Sequence, residues 1–221
     1  MKFYSIAIDG PAASGKSTAA KGVSKALGFL YVDTGAMYRA LTLHMINLSL
    51  DCKSAADASI ALKTFDVSED RNGHVFLNGE DVTSRVREMD VSSLVSYACA
   101  HLEVREKCVA IQREMAKHDS VVMDGRDIGT VVLKDATLKI FQVASVEARA
   151  QRRYLENQSR GIASSLDEIK ADIETRDYID SHRANSPLCQ AEDAILLDTS
   201  EMTIDEEIKK IIELFNEKKG R

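Results

Sequence analysis

Residues 10–17 read Gly10-Pro11-Ala12-Ala13-Ser14-Gly15-Lys16-Ser17 and fit the spacing G-x-x-x-x-G-K-[ST]. Residue types in that order suit the binding of a nucleoside triphosphate. Two glycines let the backbone wrap an anion, and a lysine reaches the β- and γ-phosphates. The following hydroxyl, Ser17, is placed to ligate Mg²⁺. The competing reading is an accidental glycine loop. With glycine at roughly 7% of residues, a chance match in a chain this long is on the order of 1%.

Two further groupings could act on a phosphate. Asp124-Gly125-Arg126-Asp127 directly follows an apolar run, Ser120-Val121-Val122-Met123. A charged turn at the carboxyl end of a buried strand lies where open α/β sheets bind ligands. Arg176, Asp180 and Arg183 stand at i, i+4 and i+7, one face of a helix. An intrahelical salt-bridge ladder accounts for that spacing as well as a binding face does. Other arginines (Arg39, Arg105, Arg113, Arg149, Arg152, Arg153 and Arg160) fall near expected strand ends or on helices. Singly, each is as well explained as a solvated surface group.

The elements that must position these groups alternate. Tyr4–Ile8, Leu30–Val32, Ser120–Met123, Leu138–Val143 and Ala194–Leu197 read as short apolar strands. Helices are expected over Ser17–Leu27, Gly35–Leu50, Asp90–Ala100 and Val104–Lys117. A last amphipathic helix carries Ile204, Ile208, Ile211, Ile212 and Phe215. Apolar strands alternating with helices predict a parallel sheet covered on both faces. Between Phe65 and Val82 the pattern changes. Asn72-Gly73 and Asn78-Gly79 sit among Val67, Val75, Phe76, Leu77 and Val82, the local signature of β-hairpins, and predict a small inserted antiparallel sheet.

Bulk properties narrow the class. A chain of 221 residues with 44% hydrophobic and 29% charged residues can bury the core of one α/β domain with inserts, or of two small domains. A formal net charge of −6 without a basic tract argues against broad nucleic-acid or membrane binding. Cys52, Cys99, Cys108 and Cys189 are scattered without metal spacing, as expected of reduced cytoplasmic thiols. No secretion signal or membrane-spanning run is expected.

Four segments occur in an order that resembles the bacterial cytidylate (CMP/dCMP) kinases over essentially the full length. They are Ile8-Asp9-Gly10-Pro11-Ala12, Asp33-Thr34-Gly35-Ala36-Met37-Tyr38-Arg39, Asp124-Gly125-Arg126-Asp127-Ile128-Gly129-Thr130, and Arg176-Asp177 through Arg183. The resemblance implies an α/β P-loop three-layer fold, with a five-stranded parallel sheet flanked by helices. Residues 1–221 would form one kinase domain, with a monophosphate-binding insert near 34–100 holding the small antiparallel sheet and a short lid near 149–163. The implied activity is transfer of the γ-phosphoryl group of ATP to CMP or dCMP by a monomeric cytoplasmic enzyme using Mg²⁺.

The same resemblance implies roles for individual residues. Gly10, Pro11, Ala12, Ala13, Ser14, Gly15, Lys16, Ser17 and Thr18 would hold ATP. Thr34, Arg39 and Arg126 would stand on the monophosphate side, the two arginines holding the acceptor phosphate, and Ser96, Arg105 and Asp127 would read the cytosine edge. Arg176 and Asp180 would contact the ribose, with Arg183 between sugar and phosphate. Arg149, Arg152, Arg153 and Arg160 would form the lid, and Lys16, Arg126 and Arg153 would act on the transferring group. Thr34 departs from the serine other members carry but keeps the hydroxyl. Two alternatives remain open at this point: another small P-loop kinase, with shikimate, uridine or another nucleotide as acceptor, and a nucleotide-binding switch. The hairpin insert and the D-G-R-D-I-G-T turn speak against the first. The lack of an N-K-x-D element speaks against a GTPase.

Overall fold

A computed structural model describes residues 3–71, 73–159 and 161–220. Five parallel strands run in the order β2-β6-β1-β7-β8: β1 Ser5–Asp9, β2 Leu30–Asp33, β6 Val121–Gly125, β7 Leu138–Val143 and β8 Ile195–Asp198. Each strand expected from the sequence is present within a residue or two at either end. The central strands carry apolar side chains on both faces because helices cover both. Ile6, Ile8, Val122, Leu138 and Ile140 pack with Ala19, Ala20 and Val23 of α1 (Lys16–Leu27) and with Ile211 and Phe215 of α8 (Ile204–Lys219). Ala7, Val121 and Met123 point the other way, into a core shared with α2 (Thr34–Asn47), α4 (Met89–Ala98) and α5 (Leu102–His118).

The insert between α2 and α4 is a three-stranded antiparallel sheet, β3 Val67–Glu69, β4 Val75–Leu77 and β5 Glu80–Asp81. Asn78 and Gly79 both take positive φ, 50° and 84°, as the tight turn between β4 and β5 requires. At the other turn Gly73 has φ 82°, while Asn72 lies outside the described residues. Helix α3 (Ala55–Ala61), which the strand–helix reading leaves out, precedes this sheet; the Ser54 side chain caps it by accepting from Asp57 N. Helix α2 ends at Asn47, three residues before the expected Leu50.

After β6 the chain makes a π-helical turn, Ile128–Val132, where the sequence reading has no element. Asp9, at the end of β1, holds it: its carboxylate accepts from Ile128 N and Gly129 N, both at 2.7 Å. Burial nevertheless pushes this carboxyl up to about 6. Helices α6 (Val146–Ser159) and α7 (Leu166–His182) follow β7. Arg183 stands one residue past the end of α7, in extended backbone, so it shares no helical face with Arg176 and Asp180.

Candidate functional site

The phosphate-loop residues connect β1 to α1, and two glycines shape the connection. A Cβ on Gly10 would lie 2.0 Å from the Gln142 carbonyl oxygen, so only glycine lets the loop pass β7. Gly15 caps α1 with φ 92°, a conformation L side chains rarely adopt. The loop is braced from behind by α6 and α7. Arg149 Nη1 donates to Ala12 O at 3.0 Å and pairs with Asp177, whose other oxygen accepts from Ala12 N at 3.0 Å. Arg149 is buried. Its place is therefore under the loop, which corrects the expectation that it moves with a lid.

In front of the loop opens a cleft of about 590 Å³. Ala13, Ser14, Gly15, Lys16, Ser17 and Thr18 form one wall. Arg39, Arg126 and Arg176, and Arg152 and Arg153 of α6, line it as well. The fold thus gathers, from α1, α2, α6, α7 and the turn after β6, residues that lie far apart in sequence. Arg160 lies outside the described residues.

The electrostatics of the cleft suit two anions. Lys16 Nζ donates to Pro11 O at 2.7 Å and to Ser14 Oγ at 3.1 Å. Burial, and then the nearby Arg126 charge, lower its ammonium to about 7. Burial and then Arg126 lower Arg176 to about 10, and Arg39 adds to that repulsion. Arg39 is itself lowered, chiefly by burial, with Arg87 and Arg153 adding like charge. Cations crowded until they disfavour one another mark a place built for an anion. Among the described residues, Arg39 Nε, Arg105 Nε, Arg176 Nε and Arg183 Nη2 are buried donors without a hydrogen-bond partner. Buried donors are normally paired, so the two of these that line the cleft, Arg39 Nε and Arg176 Nε, call for a ligand with acceptor oxygens.

Carboxylates set the arginine positions. Asp33 and Asp124 are register partners at the ends of β2 and β6. Asp33 pairs with Arg87 at 2.8 Å and Arg39 at 3.7 Å. Burial opposes its ionisation, but those two guanidinium groups hold it below the usual carboxylate range. Asp124 is raised by burial and by Asp33; it accepts from Ser17 Oγ at 2.7 Å and Tyr31 Oη at 2.8 Å. Asp180 reaches off its helix to Arg126 Nε at 2.8 Å and to Arg183 at 3.7 Å, while Arg176 pairs with Asp172 at 3.8 Å. The helix thus does form an i, i+4 ion pair, but between Arg176 and Asp172, while Asp180 turns to Arg126 and Arg183. Burial works against the Asp180 charge, and Arg126 and Arg183 outweigh it.

Other sequence-expected residues stand behind the cleft wall. Thr34, the first residue of α2, is buried and donates to the Asp124 carbonyl at 2.6 Å, bracing the turn that carries Arg126. Ser96, Arg105, Asp127 and Arg183 are buried together with Cys99. Asp127 accepts from Arg105 Nη2 and has Arg183 at 3.9 Å, and Arg105 also donates to Cys99 O at 3.2 Å. This closed set adjoins the cleft through the Asp180–Arg126 pair.

Sequence reasoning missed Arg87, Asp33 and Glu207 as cleft residues. Arg87 gave no signal, since it comes from a 3-10 turn (Arg85–Arg87) of the insert. Glu207 did give one: it lies three residues after Ile204 and four before Ile211, on the apolar stripe of α8, where a solvated charge does not belong. Burial pushes its carboxyl up to about 7.

The family model described as cytidylate kinase matches residues 6–217. A cytidylate kinase of Lysinibacillus sphaericus is 50% identical over 220 residues, covering 98% of each chain. One from Streptococcus pneumoniae is 51% identical over 216 residues, covering 96% of each. Among solved structures, a gluconokinase from Sinorhizobium meliloti matches with TM-score 0.50 at 13% identity, covering 97% of this chain and 92% of its own. An uncharacterised protein from Eubacterium ventriosum matches with TM-score 0.56 at 12% identity, covering 98% and 99%. At that identity the likeness is one of fold.

Proposed function

Given that this chain belongs to the cytidylate kinase family, we propose a residue-level account of how its cleft works. The protein transfers the γ-phosphoryl group of ATP to CMP or dCMP, giving ADP and CDP or dCDP. The observation that carries the residue assignment is that the phosphate loop shares one cleft with Arg39, Arg126, Arg152, Arg153 and Arg176, two of which, Arg39 and Arg176, hold a buried Nε without a partner.

On the donor side, the backbone N–H groups from Gly10 to Thr18 and the N-terminus of α1 hold the triphosphate. Lys16 stands where the two halves meet, near enough to Arg126 for each to feel the other's charge. Ser17 Oγ and the Asp124 carboxylate, 2.7 Å apart, are hard oxygen donors. No cluster of three or more His, Cys, Asp or Glu side chains that could cage a metal occurs among the described residues. This fits Mg²⁺, which takes one or two protein oxygens and completes its shell with phosphate and water. When bound, it supplies neutralisation of phosphate charge.

On the acceptor side, Arg39 and Arg126 hold the monophosphate, and Arg176 and Asp180 the sugar, with Arg183 between them. Asp127, with Arg105 and Ser96, reads the base. A monophosphate with second pKa near 6 is largely dianionic at neutral pH, so its oxygen attacks without a protein base. The bond from that oxygen to the γ-phosphorus forms as the bond to the β-phosphate oxygen of ATP breaks. The protein's part is to offset the repulsion of two polyanions and align them, for which the planar guanidinium fork is well shaped. Arg153 closes over the cleft as the lid and limits attack by water; Arg152, expected in the lid, is instead tied to Ser14 O and Thr199 O and stays with the phosphate loop. The region near 34–100 contributes Arg39 and Ser96 to the acceptor side, and the part of α6 beyond Arg152 carries the lid of a single domain. We read the protein as a monomer. No helix among the described residues is long and apolar enough to cross a membrane, and the cysteines are free; a cytoplasmic setting fits both.

Asp180→Asn tests the acceptor half. Asp180 orients Arg126, so the substitution loosens both the sugar contact and the phosphate clamp. The KM for CMP is expected to rise about tenfold, the scale of a lost charge-assisted hydrogen bond, with the KM for ATP nearly unchanged. A lowered melting temperature with unaltered CMP kinetics would leave Asp180 a structural residue only.

A further inference from the structure

The Ser14 carbonyl, in the middle of the phosphate loop, receives two hydrogen bonds from outside the loop. Gln142 Nε2, at the end of β7, donates to it at 2.6 Å, and Arg152 Nη1, on α6, donates at 3.0 Å. Both donors meet one carboxylate, Glu207 of α8. Gln142 Nε2 lies 3.3 Å from Glu207 Oε2, and Arg152 Nη2 lies 3.5 Å from Glu207 Oε1. Arg152 also donates to Thr199 O and stands 3.4 Å from Thr199 Oγ1. The group presses on the loop itself. A Cβ placed on Gly15 would stand 3.3 Å from Arg152 Nη1, 3.4 Å from Gln142 Nε2 and 3.7 Å from Glu207 Oε2.

A peptide unit is planar, and in the trans form its C=O and N–H point in opposite directions. No cis peptide bond occurs among the described residues. Holding the Ser14 oxygen toward Gln142 and Arg152 therefore turns the Gly15 N–H of the same peptide unit the opposite way, away from those two side chains. We propose that Glu207, by holding Gln142 and Arg152 on the Ser14 carbonyl, is a positioning residue that aims the Gly15 N–H at the donor phosphates. Its effect is confined to phosphate affinity on the ATP side. Glu207 is buried on α8, far in sequence from the loop, and in a merely structural role it would weaken the fold without favouring one substrate. The inference rests on the donor-side assignment above.

The test is calorimetric binding of ATP and of inorganic tripolyphosphate, each with Mg²⁺, to the whole protein, together with KM values for ATP and CMP. Tripolyphosphate has no base or sugar, so it isolates the loop. Glu207→Ala is expected to weaken both ligands by the same factor, about tenfold, the scale of one hydrogen bond, while the KM for CMP stays unchanged. Glu207→Gln keeps an oxygen acceptor for Gln142 and is expected to recover most of that loss. Gln142→Leu removes a donor to Ser14 and is expected to reproduce the split even if Glu207→Ala folds poorly. Combined with Glu207→Ala, it is expected to add little, since both act through one carbonyl. A loss for ATP without a loss for tripolyphosphate would overturn the proposal in favour of a contact to the adenosine. Equal rises in both KM values would overturn it in favour of general destabilisation. Wild-type protein that bound neither ligand would overturn the donor-site assignment itself.

Discussion

Lys16→Ala is expected to lower kcat/KM by about a hundredfold or more, the scale seen when one charge stabiliser is removed from a dry site. Lys16 is the only cation within the loop, and its ammonium stands where the triphosphate wall meets Arg126. The arginines across the cleft do not replace it, because each is already tied to a carboxylate or aimed at the acceptor. The fold should survive: among the described residues Lys16 bonds within its own loop, to Pro11 O and Ser14 Oγ, and has no carboxylate at ion-pair distance. Circular dichroism and melting temperature check the fold, and a coupled ADP-release assay reads the rate. A folded Lys16→Ala protein within tenfold of wild type would remove Lys16 from the transferring phosphate.

The second large effect is on selectivity. Asp127→Asn is expected to narrow the advantage of CMP and dCMP over UMP by roughly 1.5–3 kcal/mol, the value of a hydrogen bond to a charged group. A carboxylate accepts from the exocyclic amine of cytosine, whereas the keto oxygen of uracil leaves it unpaired. Asparagine is the informative replacement. Asp127 is buried against Arg105, with Arg183 at 3.9 Å. Alanine would strand those guanidinium groups, at about 3–5 kcal/mol of stability, and mix folding with recognition. The measurement is kcat/KM for CMP and UMP in both proteins. Equal falls for the two acceptors would give Asp127 a general positioning role.

Much of this was legible in the chain because the signals are local. The loop at Gly10–Ser17 needs glycine where the backbone passes Gln142 and turns into α1, and the strands read as apolar runs because both their faces are covered. Asn78-Gly79 announces its turn through a φ that few other pairs adopt. What escaped depends on long-range pairing. The π-helical turn at Ile128–Val132 exists because Asp9, over a hundred residues earlier, accepts two of its N–H groups. Arg149 looks like any other arginine on a charged helix until Asp177 and the Ala12 carbonyl are placed beside it. Arg87 joins the cleft only because Asp33 lies across from the insert. Glu207 was visible as a charge on an apolar stripe, but its partners, Gln142 and Arg152, come from two other elements.

The central claim is that this cleft joins a triphosphate donor to a cytosine monophosphate acceptor. ADP release measured with ATP and Mg²⁺ against CMP, dCMP, UMP, AMP and GMP tests it most directly. The account predicts that CMP and dCMP exceed AMP and GMP in kcat/KM by at least about a hundredfold, because a site built to hydrogen-bond one base edge rejects another strongly. Comparable turnover of a purine monophosphate, or ADP release that does not depend on any monophosphate, would contradict it.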